Sequence, residues 1–347
     1  MKYLFLKRKK RKMTVSVKYQ NRKKKVVTVI GGGTGTFVVL SGLKAYPLDL
    51  GVIVNVMDSG GSTGKLRDQL GVLPPGDLRQ CLVALSEAPN LWRKLFLYRF
   101  DAGDLKGYNF GNLFLTALEK ISHSYPDVIK TASFVLKIKG KVIPATYKKT
   151  NLCAQYSDGE VLRREHYIDE NINTKKKIIR VFLEPKVKAN PDALKRLEKS
   201  DYIIVGPGDL FTSIFPVVLV GGVKKAIGSS KAKIIYNMNL MTKVGQTTDY
   251  KASDHLREFK KYIGREPNYV IINNGRIPKG ILKWYQDNKE KPVSNDLAKT
   301  NFDGKIIVAD VVDDKQYRQS ASDSVKRSVL RHSSTKLTKI ITKIIYA

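Results

Sequence analysis

Residues 26–36 read VVTVIGGGTGT, an apolar β-branched segment followed at once by a cluster of glycines. Valine and isoleucine in such a run are typical of a buried parallel strand. Glycine has no Cβ, so the backbone N–H groups after the strand can approach an anion closely. The apolar residues 37–43 then predict a helix, whose first N–H groups favour phosphate. The segment predicts a strand–loop–helix unit that binds a phosphorylated molecule such as a nucleotide, or else a tight turn that needs glycine for packing; its loop is Gly31, Gly32, Gly33, Thr34, Gly35 and Thr36.

The loop matches neither of the two best-known glycine motifs. A dinucleotide-binding fingerprint that starts at Gly31 would need a sixth-position glycine, and Thr36 stands there. A P-loop ending at Gly64-Lys65 would need glycine where Ser59 stands. Both assignments therefore fail.

Two further glycine-rich loops follow predicted strands. The apolar segment 51–56 precedes DSGGSTG, and the segment 202–205 precedes GPGDLFTS. Because ligands bind at the carboxyl ends of the strands in an open α/β sheet, we expect the three loops to surround one ligand. The candidate ligand-binding residues in these two loops are Asp58, Ser59, Gly60, Gly61, Ser62, Thr63, Gly64, Gly206, Gly208 and Asp209.

Asp58 and four other polar residues are candidates for chemistry or ligand recognition. Asp58 could hold Mg²⁺ beside a phosphate, act as a catalytic base or bind a sugar hydroxyl, with a loop cap as the alternative. Asp77 suits the N-cap of a helix predicted over 78–87, or a place in the site. Arg79 is a candidate phosphate partner or a solvated side chain. Asn109 and Asn112 could read a base or a sugar, or cap the next helix.

The chain of 347 residues, 42% of them apolar, is long enough for a large core, and residues 25–347 are interpreted as a single domain. Strands alternating with helices predict an α/β fold with a mostly parallel sheet, flanking helices and a small β-rich insert at about 140–184. No apolar stretch approaches the roughly 20 residues of a transmembrane helix. Cys81 and Cys153 make no paired framework, which favours a reducing, cytoplasmic setting. The four histidines show no metal-ligand spacing.

The two ends of the chain are basic. The net charge is +32, and residues 1–24 contain eleven Lys and Arg but no acid. This arm could bind nucleic acid or an anionic surface, or be a disordered extension in front of a start at Met13 rather than Met1. The predicted last helix, 336–345, has an apolar face that would either pack on the sheet or lie on a membrane surface. A homo-oligomer is also left open.

Five motifs, in this order along residues 25–341, resemble the bacterial gluconeogenesis-factor family. That family belongs to the larger group that contains 2-phospho-L-lactate transferase, an enzyme of coenzyme F420 assembly. The motifs are IGGGTGT, DSGGSTGKLRDQLGVLPPGDLRQCLVALSE, GYNFGNLFLTAL, DYIIVGPGDLFTSIFP and NMNLMTKVGQTTDYKASDHL.

The resemblance implies a Rossmann-like fold with a nucleotide bound across the glycine loops. In the gluconeogenesis-factor branch it implies UDP-sugar binding, a role in carbon metabolism and cell shape, and no established reaction. In the transferase branch it implies Mg²⁺-dependent passage of a phospholactyl or phosphoenolpyruvyl group from a guanosine-diphosphate carrier to a deazaflavin. The family commonly has two adjacent acids where this chain has Asp58 and Ser59. The single carboxylate favours a UDP-sugar-binding protein over a transferase. If the protein is a transferase, Asp58 is the expected catalytic residue and the expected Mg²⁺ ligand.

Overall fold

A parallel sheet of seven strands forms the centre of the molecule in the computed structural model, which describes residues 23–173, 175–314 and 328–347. The strand order is β10-β9-β8-β7-β1-β2-β3, and every neighbouring pair is parallel. A second sheet, in the order β5-β4-β6, is antiparallel. The strands are β1 Val26–Gly31, β2 Asp49–Val54, β3 Lys141–Pro144, β4 Asn151–Tyr156, β5 Val161–Arg163, β6 Ile178–Glu184, β7 Tyr202–Val205, β8 Lys233–Asn237, β9 Tyr269–Asn273 and β10 Lys305–Ala309.

Helices cover both faces of the large sheet, so its central strands are buried on both sides, as their continuous apolar sequence requires. The helices are α1 Gly33–Leu43, α2 Gly61–Leu70, α3 Pro75–Leu85, α4 Asn90–Leu97, α5 Phe110–Ile121, α6 Tyr125–Val135, α7 Glu165–Asp169, α8 Pro191–Glu198, α9 Phe215–Leu219, α10 Val223–Ser229, α11 Ala252–Ile263, α12 Lys279–Asp287 and α13 Ser334–Ile345. A π-helical turn, Leu210–Ile214, precedes α9, and a 3₁₀ turn covers Leu297–Lys299. None of the helices in these ranges has the length and apolarity of a membrane-spanning segment.

The predicted α/β fold with a mostly parallel sheet and a small β-rich unit is confirmed. The start of that unit differs from the prediction. β3 pairs in parallel with β2 and completes the large sheet, so the antiparallel sheet begins at Asn151 rather than near residue 140. Residues 165–167 lie inside the predicted β-rich insert but belong to the short helix α7.

The start of α3 was also predicted too late. The helix begins at Pro75, because the fixed φ of proline suits the first helical position, where an N–H would have no partner. Asp77 therefore lies in the first turn and does not cap the helix; Pro74 occupies the N-cap without a side-chain bond.

The C-terminal helix α13 packs on α1 through its apolar face. Leu337, Ile341 and Ile345 are buried in the same core cluster as Val27 and Val29 of the central strand. The Ser334 hydroxyl donates to the Val38 carbonyl at 2.8 Å. The face that could have met a membrane is thus occupied within the protein. The basic arm, up to residue 22, lies outside the described residues.

Candidate functional site

The three glycine loops meet at one edge of the large sheet, because β7, β1 and β2 are neighbours. A Cβ added to Gly35 would lie 2.0 Å from the Pro207 carbonyl oxygen, so the first loop packs directly on the third. A Cβ on Gly32 would lie 2.0 Å from Asp77 Oδ2. Real Cβ atoms do not approach so closely, so a side chain at Gly35 would collide with backbone, and one at Gly32 would have to displace the Asp77 carboxylate.

The loops open into a cleft of about 390 Å³. Its wall begins at the ends of β2 and β1, passes β7, and continues to the segment after β8 and to helix α12, which follows β9. The sequence-predicted residues in the wall are Gly32, Gly33, Thr34, Gly35, Asp58, Gly60, Gly61, Ser62, Thr63, Asp77, Arg79, Asn112, Gly208 and Asp209.

The remaining predicted residues stand behind the wall rather than in it: Gly31, Thr36, Ser59, Gly64, Asn109 and Gly206. Asn109 is the N-cap of α5; its Oδ1 accepts the Asn112 N–H at 3.2 Å. A Cβ on Gly64 would lie 2.0 Å from the Ser59 carbonyl oxygen. These residues shape the loops that carry the wall.

The β2 end of the cleft is a closely bonded polar cluster. Arg79 Nε donates to Asn112 Oδ1 at 2.8 Å, and Asn112 Nδ2 donates to Ser62 Oγ at 3.0 Å and to Thr63 Oγ1 at 3.3 Å. All four side chains are at most 6% exposed. Hydroxyls and a guanidinium held in place by an amide are suited to recognise a sugar or a phosphate.

A second carboxylate faces the Asp58 loop, and sequence reasoning missed it. Glu165, the first residue of α7, accepts the Ser59 N–H at 3.3 Å. Burial raises the pKa of the Glu165 carboxyl well above its usual range, and the charges of Asp58 and Asp169 add to this effect. The next residue, His166, contacts Ser59 Oγ through Nδ1 at 3.1 Å. The antiparallel sheet therefore brings an acid next to the loop that has only one in the sequence.

A buried charge network lies further along the cleft, around Lys243. Its ammonium lies 3.4 Å from Asp169 Oδ1, which also accepts from Gln246 Nε2 at 3.0 Å. Burial would lower the pKa of Lys243, but the charges of Asp169, Asp209 and Glu290 outweigh it and keep the pKa above its usual value. Burial also raises the pKa of Asp209 to about 6, against the opposing charge of Lys243. The Lys243 ammonium is thus charged and balances the negative charge of the acids around it.

The far end of the cleft is more apolar and carries aromatic rings. Trp284 and Tyr285 of α12 line it together with Leu330. The Tyr285 hydroxyl accepts the Leu330 N–H at 3.1 Å and lies 3.3 Å from Ser328 Oγ, which fixes the chain next to α12. Flat apolar surfaces of this kind are where a nucleobase can stack.

The wall residues that the sequence did not reveal come from separate parts of the chain: Asn55, Glu165, His166, Asp169, Asn239, Lys243, Trp284, Glu290, Arg331 and His332. The usable signal was a cluster of polar residues after a predicted strand, as in NMNLMTK after β8. Among the described ranges, no three His, Cys, Asp or Glu side chains are grouped as a metal-ion site.

Comparison with protein families matches residues 27–312 to the model described as 2-phospho-L-lactate transferase CofD. The matched range includes all three glycine loops and Lys243. It ends before Arg331 and His332.

Curated relatives are similar over most of their length. A putative gluconeogenesis factor of Aquifex aeolicus is 41% identical over 93% of this chain and 97% of its own. A gluconeogenesis factor of Listeria innocua is 43% identical over 74% of this chain and 80% of its own. A crystal structure of a member of the UPF0052 family from Bacillus halodurans, 37% identical, covers 93% of this chain and 100% of its own with a TM-score of 0.84.

Proposed function

Because the chain belongs to the 2-phospho-L-lactate transferase CofD family and, within it, to the gluconeogenesis factors, we propose that it binds a nucleotide sugar, with UDP-sugars as its ligands. The name shared by its relatives supports a role in carbon metabolism. We also propose that the protein acts in the cytoplasm and takes part in the regulation of cell shape. These two points rest on the sequence resemblance alone.

The observation that carries the proposal is a single cleft that crosses the carboxyl ends of five neighbouring strands, in the order β2, β1, β7, β8 and β9. At a strand spacing of about 4.8 Å, four spacings give a length of about 19 Å. A phosphate group alone would need only one glycine loop. The length suits a base, a ribose, a diphosphate and a sugar placed end to end.

The chemistry of the wall changes along the cleft in the order such a ligand needs. Backbone N–H groups of the glycine loops, at the N-terminal end of α1, suit the diphosphate in the middle. The hydroxyls of Ser62 and Thr63, with Asn112, suit the hydroxyl groups of a sugar at the β2 end. The partly buried ring of Trp284 suits the base at the other end.

Mg²⁺ fits this arrangement, because the cation is held in nucleotide sites by one or two carboxylates together with substrate phosphates. Asp58 and Glu165 would hold it: Asp58 Oδ1 accepts the Gly60 N–H at 2.9 Å, and Glu165 accepts the N–H of the neighbouring Ser59 at 3.3 Å. Bound there, the ion would neutralise part of the diphosphate charge. The chain's own part is to place both carboxylates beside the Ser59 and Gly60 backbone.

Titration calorimetry with UDP-glucose and UDP-N-acetylglucosamine, with and without Mg²⁺, tests the proposal. We expect saturable binding of at least one UDP-sugar, strengthened by Mg²⁺, and no binding of the free sugars. The Asp58→Asn variant should bind with a reduced response to Mg²⁺. Absence of heat with every UDP-sugar at millimolar concentration would show that the proposal is wrong.

A transferase activity is the second candidate, and the Asp58–Glu165 pair is the observation that favours it. The pair supplies from two elements the two acids that the sequence lacks side by side. Incubation with a deazaflavin alcohol, a guanylated phospholactate donor and Mg²⁺ tests it by product analysis. Product that is lost in Asp58→Asn would support the activity, whereas no product from the wild-type protein would exclude it.

A further inference from the structure

We propose that the free edge of β3 binds an extended segment of a partner protein, in which apolar and acidic residues alternate, as an added strand. The binding groove includes Val26 and Asp49, the first residues of β1 and β2. It therefore lies at the opposite end of these strands from the nucleotide cleft. The inference is independent of the proposed nucleotide-binding function.

The first observation is a pair of backbone groups at the edge of the large sheet. β3 is the last strand and pairs with β2 alone. The Ala145 N–H donates to the Val54 carbonyl at 3.0 Å, so every second residue counted back from Ala145 bonds to β2. Val142 therefore directs its N–H and C=O away from β2, as does Pro144, whose carbonyl accepts Asn190 Nδ2 at 3.3 Å. No described residue bonds to the backbone of Val142, which leaves these groups open to another strand.

The second observation is a groove of about 830 Å³ that follows this edge between α6 and α8. The two helices lie on opposite faces of β3. Val142 packs in the core cluster that contains Val128 of α6, and Ile143 packs in the cluster that contains Ala193 of α8. Side chains alternate between the two faces of a strand. A strand added to β3 would therefore direct one residue towards α6 and the next towards α8.

The α6 side of the groove is apolar. Ile129 and Phe134 of α6 line it, together with Ile138. The Phe134 side chain is 84% exposed. Burial of apolar surface is favourable, so apolar side chains of an added strand would gain by covering this ring.

The α8 side of the groove is basic. It carries three lysines, from β3, from α8 and from the position after α8: Lys141, Lys195 and Lys199. None of the three forms an ion pair with a described acid. The groove also has two acids, Asp49 and Asp192, and the Asp49 carboxylate is already 2.8 Å from Arg196. Acidic side chains of an added strand would meet an excess of positive charge here.

Charge also argues against two other occupants. If β3 of a second copy paired with this edge around a two-fold axis, the α8 sides of both copies would meet and their lysines would repel. The basic arm begins next to the groove, because Val26 lines it. Residues 1–22 contain nine Lys and Arg and no acid, so the arm would meet the same repulsion. An acidic partner is attracted by both the groove and the arm.

Fluorescence anisotropy of the full chain with two labelled peptides of eight residues tests the inference. One peptide alternates glutamate and valine, and the other has four glutamates followed by four valines. The two have the same charge, so the basic arm attracts both alike. We expect the alternating peptide to bind at least about tenfold more tightly. Equal affinities, or no saturable binding of the alternating peptide at millimolar concentration, would overturn the inference.

Hydrogen exchange measured by mass spectrometry tests whether the peptide is added as a strand. A saturating concentration of the alternating peptide should slow the exchange of the segment 140–144 at least about tenfold, because the Val142 N–H gains an acceptor. Unchanged exchange of this segment in the complex would overturn the strand addition.

Two variants assign the binding to the two sides of the groove. The double substitution Lys195→Glu and Lys199→Glu should weaken binding of the alternating peptide at least about fivefold. Phe134→Ser should weaken it at least about threefold. All three side chains are exposed, so we expect both variants to fold.

The matched controls are Lys305→Glu and Leu91→Ser. Lys305 is exposed on β10, at the opposite edge of the sheet, and Leu91 is 77% exposed and outside the groove. Equal effects of the control and groove variants would show that binding depends on diffuse charge and overturn the inference. Phosphatidylglycerol vesicles that bind through Lys195 and Lys199, while neither peptide binds, would overturn it in favour of a lipid surface.

Discussion

The two halves of the cleft are built in different ways. The half at β1, β2 and β7 consists of three glycine loops whose backbones touch, as between Gly35 and Pro207. The half at β8 and β9 consists of side chains that hold one another, with Lys243 among Asp169, Asp209 and Glu290. The first half has no room for an added atom at Gly35, and in the second half the loss of Lys243 would leave the charges of three acids unbalanced. The comparison shows that close backbone packing shapes one half of the cleft, whereas the other half depends on balanced charges.

Lys243→Met should have the largest effect on the side-chain half. Removal of one partner from a buried ionic network typically costs about 3–5 kcal/mol of unfolding free energy, because the remaining charges lose their compensation. Urea unfolding at pH 7 measures the loss. The variant should recover part of it at pH 5, where the acids can take up protons. A loss below about 1 kcal/mol would mean that the network is solvated and that the two halves differ less than proposed.

Gly35→Ala should have the largest effect on the glycine half, at about 2–3 kcal/mol of unfolding free energy, because the methyl group would overlap the Pro207 carbonyl. Binding of UDP-sugars should be lost in the protein that remains folded. Gly228→Ala is the matched control: Gly228 lies in α10, and nothing lies within 4 Å of its added Cβ. That variant should gain about 0.4–1 kcal/mol. Equal effects of the two substitutions would contradict the contact between the loops.

Asn112→Ala tests the polar cluster at the β2 end of the cleft. This cluster is the part of the glycine half that depends on side chains. Its loss leaves Arg79 Nε and the hydroxyls of Ser62 and Thr63 without their partner. We expect a cost of about 1–2 kcal/mol in unfolding free energy. Affinity for a UDP-sugar should fall more than affinity for UDP, measured by calorimetry. The same decrease for both ligands would move the sugar away from this cluster.

The smallest expected effect is a pH dependence at Asp209. Its pKa in the folded protein, about 6, is above the usual value, so its contribution to stability is complete below about pH 4 and is lost as the pH rises through 6. Relative to Asp209→Asn, the wild-type protein should therefore gain about 1 kcal/mol between pH 7 and pH 5. Urea midpoints of both proteins at the two pH values give the difference. A constant difference would show that Asp209 is ionised throughout.

The sequence predicted the glycine half well and the side-chain half poorly, for a physical reason. Glycines after an apolar run are a local signal, and parallel strands bring such loops to one edge whatever the rest of the chain does. The charge network joins residues 169, 209, 243 and 290, which only the folded chain brings together. No local sequence pattern indicates that these four residues lie close together.

The position of Glu165 and the sheet to which β3 belongs could not be predicted from local sequence patterns either. Glu165 lies in an insert whose local pattern resembled a strand, so its approach to Ser59 depends on how the antiparallel sheet packs. β3 has the same apolar composition as the strands of that sheet, and only its pairing with β2 assigns it to the large sheet. Composition decides that a strand forms, and tertiary packing decides which sheet it joins.

The packing of α13 on α1 has a consequence for how the protein is made. A Cβ on Gly42 of α1 would lie 1.9 Å from Thr338 Oγ1, so the helix that begins at the first glycine loop is covered by a helix that is synthesised much later. His332 enters the cleft wall only a few residues earlier. A ribosome must therefore translate past residue 332 before the wall of the cleft is complete. A nascent chain halted before residue 330 would carry every glycine of the site and still lack one of its walls.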